Sequence, residues 1–261
     1  MRKLLVTILV LTMAGGVFWY VQSGLKSAQD QALVTDNSNS EENIGLPLEE
    51  APQKEETVKK DTDTDILKAQ ALEIISRPIS VEVQLSDSSR KNALAKLDEL
   101  IKLIEERYDY ANAWYDFGAY RMVIGDYDGA IDAYKFVPLI KSGDYVGYGN
   151  LGDIYMNYLK NYSLAEENFL KAIQNNFAYI SGYVELAALY ENNFEDGRQK
   201  AEDLFLSGIN SNTGNLYLKV RLAQFYDRNG RKLDALNLFK EVLASDPNNQ
   251  SVAAEVARLS Q

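Results

Sequence analysis

The residues of this chain best equipped for chemistry are its carboxylates. Two acidic runs, "DTDTD" at Asp61 to Asp65 and "DYDG" at Asp126 to Gly129, carry the alternating oxygens with which a calcium loop opens. Such a loop also needs a glycine at its sixth position and a glutamate at its twelfth. From Asp61 those places hold Ile66 and Leu72, and from Asp126 they hold Ile131 and Val137. Neither run closes a calcium shell, so both read as helix caps and turns. Glu166 and Glu167 form a carboxylate pair, the minimal equipment for glycosidic hydrolysis. Neighbours on a helix point about 100° apart. The pair therefore reads as a solvated face.

The 261 residues include no cysteine and no histidine. Disulfides, thiolate nucleophiles, thiolate metal sites, serine–histidine pairs and histidine-bound metals are thereby excluded. The reading is a chain with no catalytic residue, no cofactor and no metal; a carboxylate-based cell-wall hydrolase is the minor alternative. A net charge of −11, with no basic patch, argues against a nucleic-acid partner. It suits solubility, or a partner with a basic face.

The elements that would position any site begin with a separate N-terminal region. Arg2 and Lys3 precede an uncharged run of eighteen residues, Leu4 to Val21. As a helix this run reaches ~27 Å, enough to cross a bilayer core. Phe18, Trp19 and Tyr20 sit where an interfacial aromatic belt falls. Residues 1–22 are expected to be a single transmembrane anchor, with the N-terminus cytoplasmic and the remainder extracytoplasmic. The alternative is a cleaved signal and secretion. Residues 23–62 are polar and acidic, too poor in large apolar groups to order themselves, and read as a disordered linker.

Residues 63–110 read as an N-terminal helical, capping segment. From Asp65 the apolar spacing turns helical, and Pro78 ends that helix. "ISVEVQL", Ile79 to Leu85, alternates like a strand. With no partner strand in the chain, it is either an extended segment lying on the helices or an edge for another chain, the second route giving a homo-oligomer. Ser89 is placed to cap the next helix, whose apolar stripe is Ala93, Leu94, Leu97, Leu100, Ile101 and Ile104.

Then a pattern repeats. Trp114 is followed by Phe117, Gly118, Ala130, Tyr134 and Val137. Tyr148 is followed by Leu151, Gly152, Tyr155, Ala165, Phe169 and Ala172. Tyr183 leads Leu186, Ala187, Tyr190, Ala201, Phe205 and Gly208, and Lys219 leads Leu222, Ala223, Tyr226, Ala235, Phe239, Val242 and Pro247. A glycine inside a helix weakens it by ~1 kcal/mol relative to alanine, so small residues kept at fixed places imply close helix packing. Each unit has an apolar face that it cannot cover alone, and stacking supplies the core.

This spacing resembles the tetratricopeptide repeat (TPR), a 34-residue pair of antiparallel helices, over residues 111–249. The resemblance implies an all-α fold, a right-handed α-solenoid of four hairpins at 111–144, 145–179, 180–215 and 216–249, closed by a C-terminal capping helix at 250–261. Three departures stand out. Unit one has Arg121 where a tyrosine is usual, and only unit four keeps the closing proline. The turns within units two and three carry one and two extra residues, which should alter helix angles there.

The resemblance also implies a concave groove lined by the first helices, which takes peptides. Carried across residue by residue, it gives Asn112, Tyr115, Asp116 and Met122 in unit one. Val146, Asn150, Asp153 and Met156 follow in unit two, and Val184, Glu185 and Glu191 in unit three. Tyr217, Arg221, Gln224 and Arg228 complete it in unit four. Tyrosines are the expected anchors; the alternative is a surface without a partner. A carboxylate clamp of the co-chaperone kind is not expected, because Asn150 matches one position while Tyr115, Ala119, Ser181 and Glu185 do not. The expected function is a membrane-tethered scaffold that binds a protein or peptide partner, with a self-associating envelope module as the alternative.

Overall fold

The computed structural model describes residues 53–261. The expected anchor at 1–22 and most of the linker lie outside the described residues. None of the described helices is long and apolar enough to cross a membrane. The chain divides into Met1–Asp61 and Thr62–Gln261. The repeats belong to the second unit, and of the described residues only the first turns of α1 belong to the first.

Among the described residues there are eleven α-helices and no strand. The first two are α1 (Gln53–Ser76) and α2 (Asp87–Glu106). Four hairpins come next: α3 (Ala111–Val123) with α4 (Tyr127–Ile140), α5 (Val146–Asp153) with α6 (Tyr162–Asn175), α7 (Ile180–Asn193) with α8 (Gly197–Ser211), and α9 (Leu216–Arg228) with α10 (Lys232–Ser245). The last helix is α11 (Gln250–Leu259). α1 starts at Gln53, so its first turns fall in the stretch composition marks as linker, and the "DTDTD" run lies inside this helix rather than at a cap or turn.

Short polar side chains start several of the helices. The Asp126 carboxylate accepts from Gly129 N (2.9 Å) at α4. Asn161, Asn215 and Asn249 do the same for α6, α9 and α11. Each such cap stabilises by about 1 kcal/mol. At α2 the cap is Ser86, which accepts from Ser89 N at 3.2 Å, so the cap lies three residues before the serine picked out by the apolar stripe.

The small residues are where a helix meets a ring. A Cβ built on Gly118 would lie 2.6 Å from the Tyr134 ring, and one on Gly152 would lie 2.6 Å from the Phe169 ring. Those rings stand one turn beyond Ala130 and Ala165, both fully buried, so the first two hairpins close by pressing an aromatic onto glycine, where the last two have Ala187 and Ala223. The extra residues in units two and three are absorbed inside helices, and every turn within a pair keeps three residues. In unit two, α5 runs on into a π-helical turn, Ile154–Tyr158, the usual imprint of a one-residue insertion. In unit three, α7 has one residue more than α3, and Ala201 is the fifth residue of α8 where Ala130 is the fourth of α4. Gly197 opens α8 directly against the Tyr190 carbonyl, where a Cβ would overlap the oxygen.

Two apolar clusters result. One runs through the repeats from Ala130 to Val252. The other joins Ala71 and Ile75 of α1, Leu97 and Ile104 of α2, and Trp114, Phe117 and Phe136 of the first hairpin. The Trp114 and Phe136 rings lie 4.4 Å apart, and the indole N–H donates to Tyr108 O at 2.6 Å. Ile79, Val81 and Leu85 pack onto this second cluster, and Glu82 N donates to Ile124 O at 2.8 Å. The strand-like stretch is therefore an extended strap laid on helices.

Candidate functional site

The strap is held by the residue that departs from the repeat pattern. Arg121 is fully buried, pairs with the Asp126 carboxylate, and donates to Arg77 O (3.0 Å) and Pro78 O (3.2 Å). Its guanidinium lies over the Phe117 ring at 4.9 Å. Outside this core, Arg77 pairs with Asp128 and Asp132 on α4.

The candidate groove lies on the free face of the first helices. The first helices of repeats three and four run side by side: α7 and α9 touch directly, with Arg228 donating to Glu191 at 2.7 Å and Asn229 donating to the same carboxylate at 3.0 Å. The residues expected to line the groove divide into two groups. In the second half, Glu185 stands within electrostatic reach of both Asp153 and Arg221. Arg221 donates to Gln224 Oε1 at 3.2 Å and lies 6.0 Å from the Tyr217 ring, which is 55% exposed. Met156, in the π turn, packs half-buried against the repeat core.

In the first half the residues are spoken for or stand apart. Tyr115, an expected anchor, donates its hydroxyl to Asp144, which is 1% exposed and also accepts from Gly147 N at 2.8 Å. Lys141 donates to the same hydroxyl at 3.3 Å. Tyr115 is thus a brace between repeats one and two. Met122 packs half-buried against the core, Asn112 is exposed at the start of α3, and Val146 and Asn150 are half-buried on α5. Val184 is buried in the core and does not line the groove.

Burial sets the electrostatics of this face. It holds the carboxyls of Asp116, Asp153 and Glu185 above their ordinary range. Asp153 pushes Glu185 further up, whereas Asn157, donating to Asp153 at 2.5 Å, draws that carboxyl partly back. The Arg221 Nε is buried with no acceptor.

Sequence reasoning missed a second set of residues. Glu166 is half-buried rather than fully solvated, and its carboxylate stands beside the Tyr190 hydroxyl of the next repeat. One repeat on, Tyr226 donates to Glu202 at 2.9 Å, and Arg231 bonds the same carboxylate at 2.7 Å. A cation covers each ring, Lys200 at 5.5 Å from Tyr190 and Arg231 at 4.1 Å from Tyr226. Burial, then the glutamate bond, pushes the Tyr226 hydroxyl up to about 12. The available signal was the recurrence of Ala-Glu at 165–166 and 201–202, one repeat before each tyrosine. Glu167 alone is exposed, paired with Lys171 at 2.7 Å.

No family model and no curated protein matches this chain. Among solved structures it is similar to MamA, at 18% identity and a TM-score of 0.47, over 65% of this chain and 99% of that one. It is also similar to YrrB, described as a TPR protein with an unusual peptide-binding site, at 17% identity and a TM-score of 0.44, over 61% and 81%. A third is TTC0263, a thermophilic TPR protein of Thermus thermophilus, at 16% identity and 0.46, over 74% and 98%. Structures similar to this chain thus include TPR proteins. The packing and groove positions rest on this chain's own spacing and contacts.

Proposed function

We propose that this chain is a non-catalytic scaffold that binds a protein or peptide partner on the face of its first helices, with residues 1–22 tethering it to a membrane. One observation carries the binding reading. The packing positions of all four hairpins are filled, yet the face from Asp153 to Tyr217 keeps half-buried polar groups and an exposed aromatic that the fold does not use. Buried polar groups are normally satisfied, so a face that leaves them open is suited to a ligand. Self-association through Ile79 to Leu85 is less well supported, because that stretch is already packed on its own chain.

The test is affinity capture from detergent-solubilised membranes with the intact chain and with Tyr217→Ala plus Arg228→Ala. Both side chains are exposed, and because Arg228→Ala also gives up the bond to Glu191, retained folding is checked by thermal melting of the variant. Loss of specific partners from the variant is the expected result; an unchanged set of captured proteins would rule out this face. N-terminal sequencing of the membrane-extracted protein tests the tether, with an intact Met1 end expected.

A further inference from the structure

Resting on that reading of the face, we propose that its occupant is cationic: an extended peptide segment whose lysine or arginine side chains enter between Asp153 and Glu185. Asp116, Asp153 and Glu185 stand on the first helices of three successive repeats, and each is half-buried. Among the described residues no lysine or arginine forms an ion pair with any of them. Other shielded carboxylates are provided for. Asp126 holds Arg121, Glu191 holds Arg228, Glu202 holds Arg231 and Asp227 holds Arg258. Asp144 has a tyrosine hydroxyl and a backbone N–H. Glu166 and Asp246, also half-buried without a cation, have the Tyr190 hydroxyl and the Asn249 amide beside them, whereas among the described residues no hydrogen bond reaches Asp116 or Glu185.

A second, independent observation lies beside them. Arg221 could have paired with Glu185, but its guanidinium turns to Gln224 and leaves a buried Nε without an acceptor. A donor without an acceptor and two acids without an ion pair, Asp153 holding only the Asn157 amide, match an extended peptide, whose carbonyl meets the Nε while a cationic side chain meets the carboxylates. The stems of lysine and arginine are apolar, and Met156, three positions after Asp153, and the exposed Tyr217 ring, beside Arg221, offer apolar surface to receive them. Tyr217 also offers a ring face to a cation. The net charge of −11 steers such a segment in and repels an acidic one.

Fluorescence anisotropy on the full chain in detergent decides the matter. The probes are a nonapeptide alternating lysine and serine and its glutamine and glutamate counterparts. The lysine peptide is expected to bind about tenfold or more tightly than either counterpart, weakening as sodium chloride rises. Asp153→Asn plus Glu185→Gln should cost about tenfold in affinity, while Glu167→Gln plus Asp203→Asn, the same charge change on exposed second-helix positions, should cost less than about twofold. Melting of the groove variant at or above the unmodified chain shows that it is folded, because amides relieve unneutralised buried charge. Equal losses in the two variants, or none in the groove variant, would overturn the proposal. So would a glutamate peptide that binds as well as the lysine one. If Tyr217→Ala weakens that glutamate peptide, the face still binds ligands and only the cationic occupant is lost; if Tyr217→Ala and the groove variant both leave every peptide's binding unchanged, the binding face falls as well.

Discussion

The junctions inside the stack and the junction at its N-terminal edge meet the same need with different side chains. Between repeats two and three, and again between three and four, a tyrosine near the end of the first helix reaches back to a glutamate on the preceding second helix, with a cation over its ring. At the edge, the equivalent residue is Arg121, and its neighbour is an extended strap. A helix side offers one carboxylate, which one hydroxyl can meet. A strap offers backbone carbonyls, and these need a group with several donors in a plane, which only arginine supplies. The residue type thus reports what lies next door.

Arg121→Met should have the largest effect, about 3–5 kcal/mol, because it strands Asp126 and two carbonyls in the core. Chemical denaturation measures it, and proteolysis should then cut within 77–86. Arg121→Tyr sharpens the comparison: it should remain destabilised, and a tyrosine that restored full stability would break the distinction between edge and interior. Gly152→Ala, inside the stack, drives a methyl into the Phe169 ring and should cost about 1–3 kcal/mol. Tyr226→Phe removes only the hydroxyl bond to Glu202, which keeps Arg231, and should cost about 1–2 kcal/mol by the same measurement.

Acidity gives a smaller effect of opposite sign to ordinary acid denaturation. The folded unit raises the carboxyls of Asp116, Asp153 and Glu185, so it binds protons more tightly than the unfolded chain. Their contribution to stability is complete below the ordinary carboxyl range, near pH ~4, and is lost as pH rises through the raised values. The thermal midpoint should therefore be higher at mildly acidic pH than at neutral pH, and Asp153→Asn plus Glu185→Gln should flatten that slope. Tyr217→Ala should have the smallest effect on folding, within about 0.5 kcal/mol, as expected for an exposed side chain outside both kinds of junction.

The hairpins are legible in the sequence because packing forces small and large residues into fixed places, as at Gly118 with Tyr134 and Gly152 with Phe169. The strap's partner is not legible. Arg121 is visible as a departure, but what it binds is the backbone of Arg77 and Pro78, and backbone carbonyls leave no mark in a sequence. For Glu166 the solvated reading fails although the geometry points the right way: residues 100° apart cannot share a face, so one turns outward and the other inward to Tyr190. The position of Tyr115 marks it as an anchor, and position alone cannot reveal that Asp144 claims its hydroxyl. Asp153, Glu185 and Arg221 are all marked out by the repeat spacing; that the two acids form no ion pair, and that Arg221 turns to Gln224 instead, emerges only from the folded contacts.

The π turn at Ile154–Tyr158 matters for anyone who would exchange parts of this chain. A regular hairpin grafted into that slot would join its neighbours without difficulty, since the linking turn has its usual length. It would nonetheless swing the side chain at Met156 round the helix axis by roughly a residue's worth of rotation, about 100°. Shortening the helix by that one residue would therefore re-aim this rung of the surface while leaving the scaffold beneath it assembled.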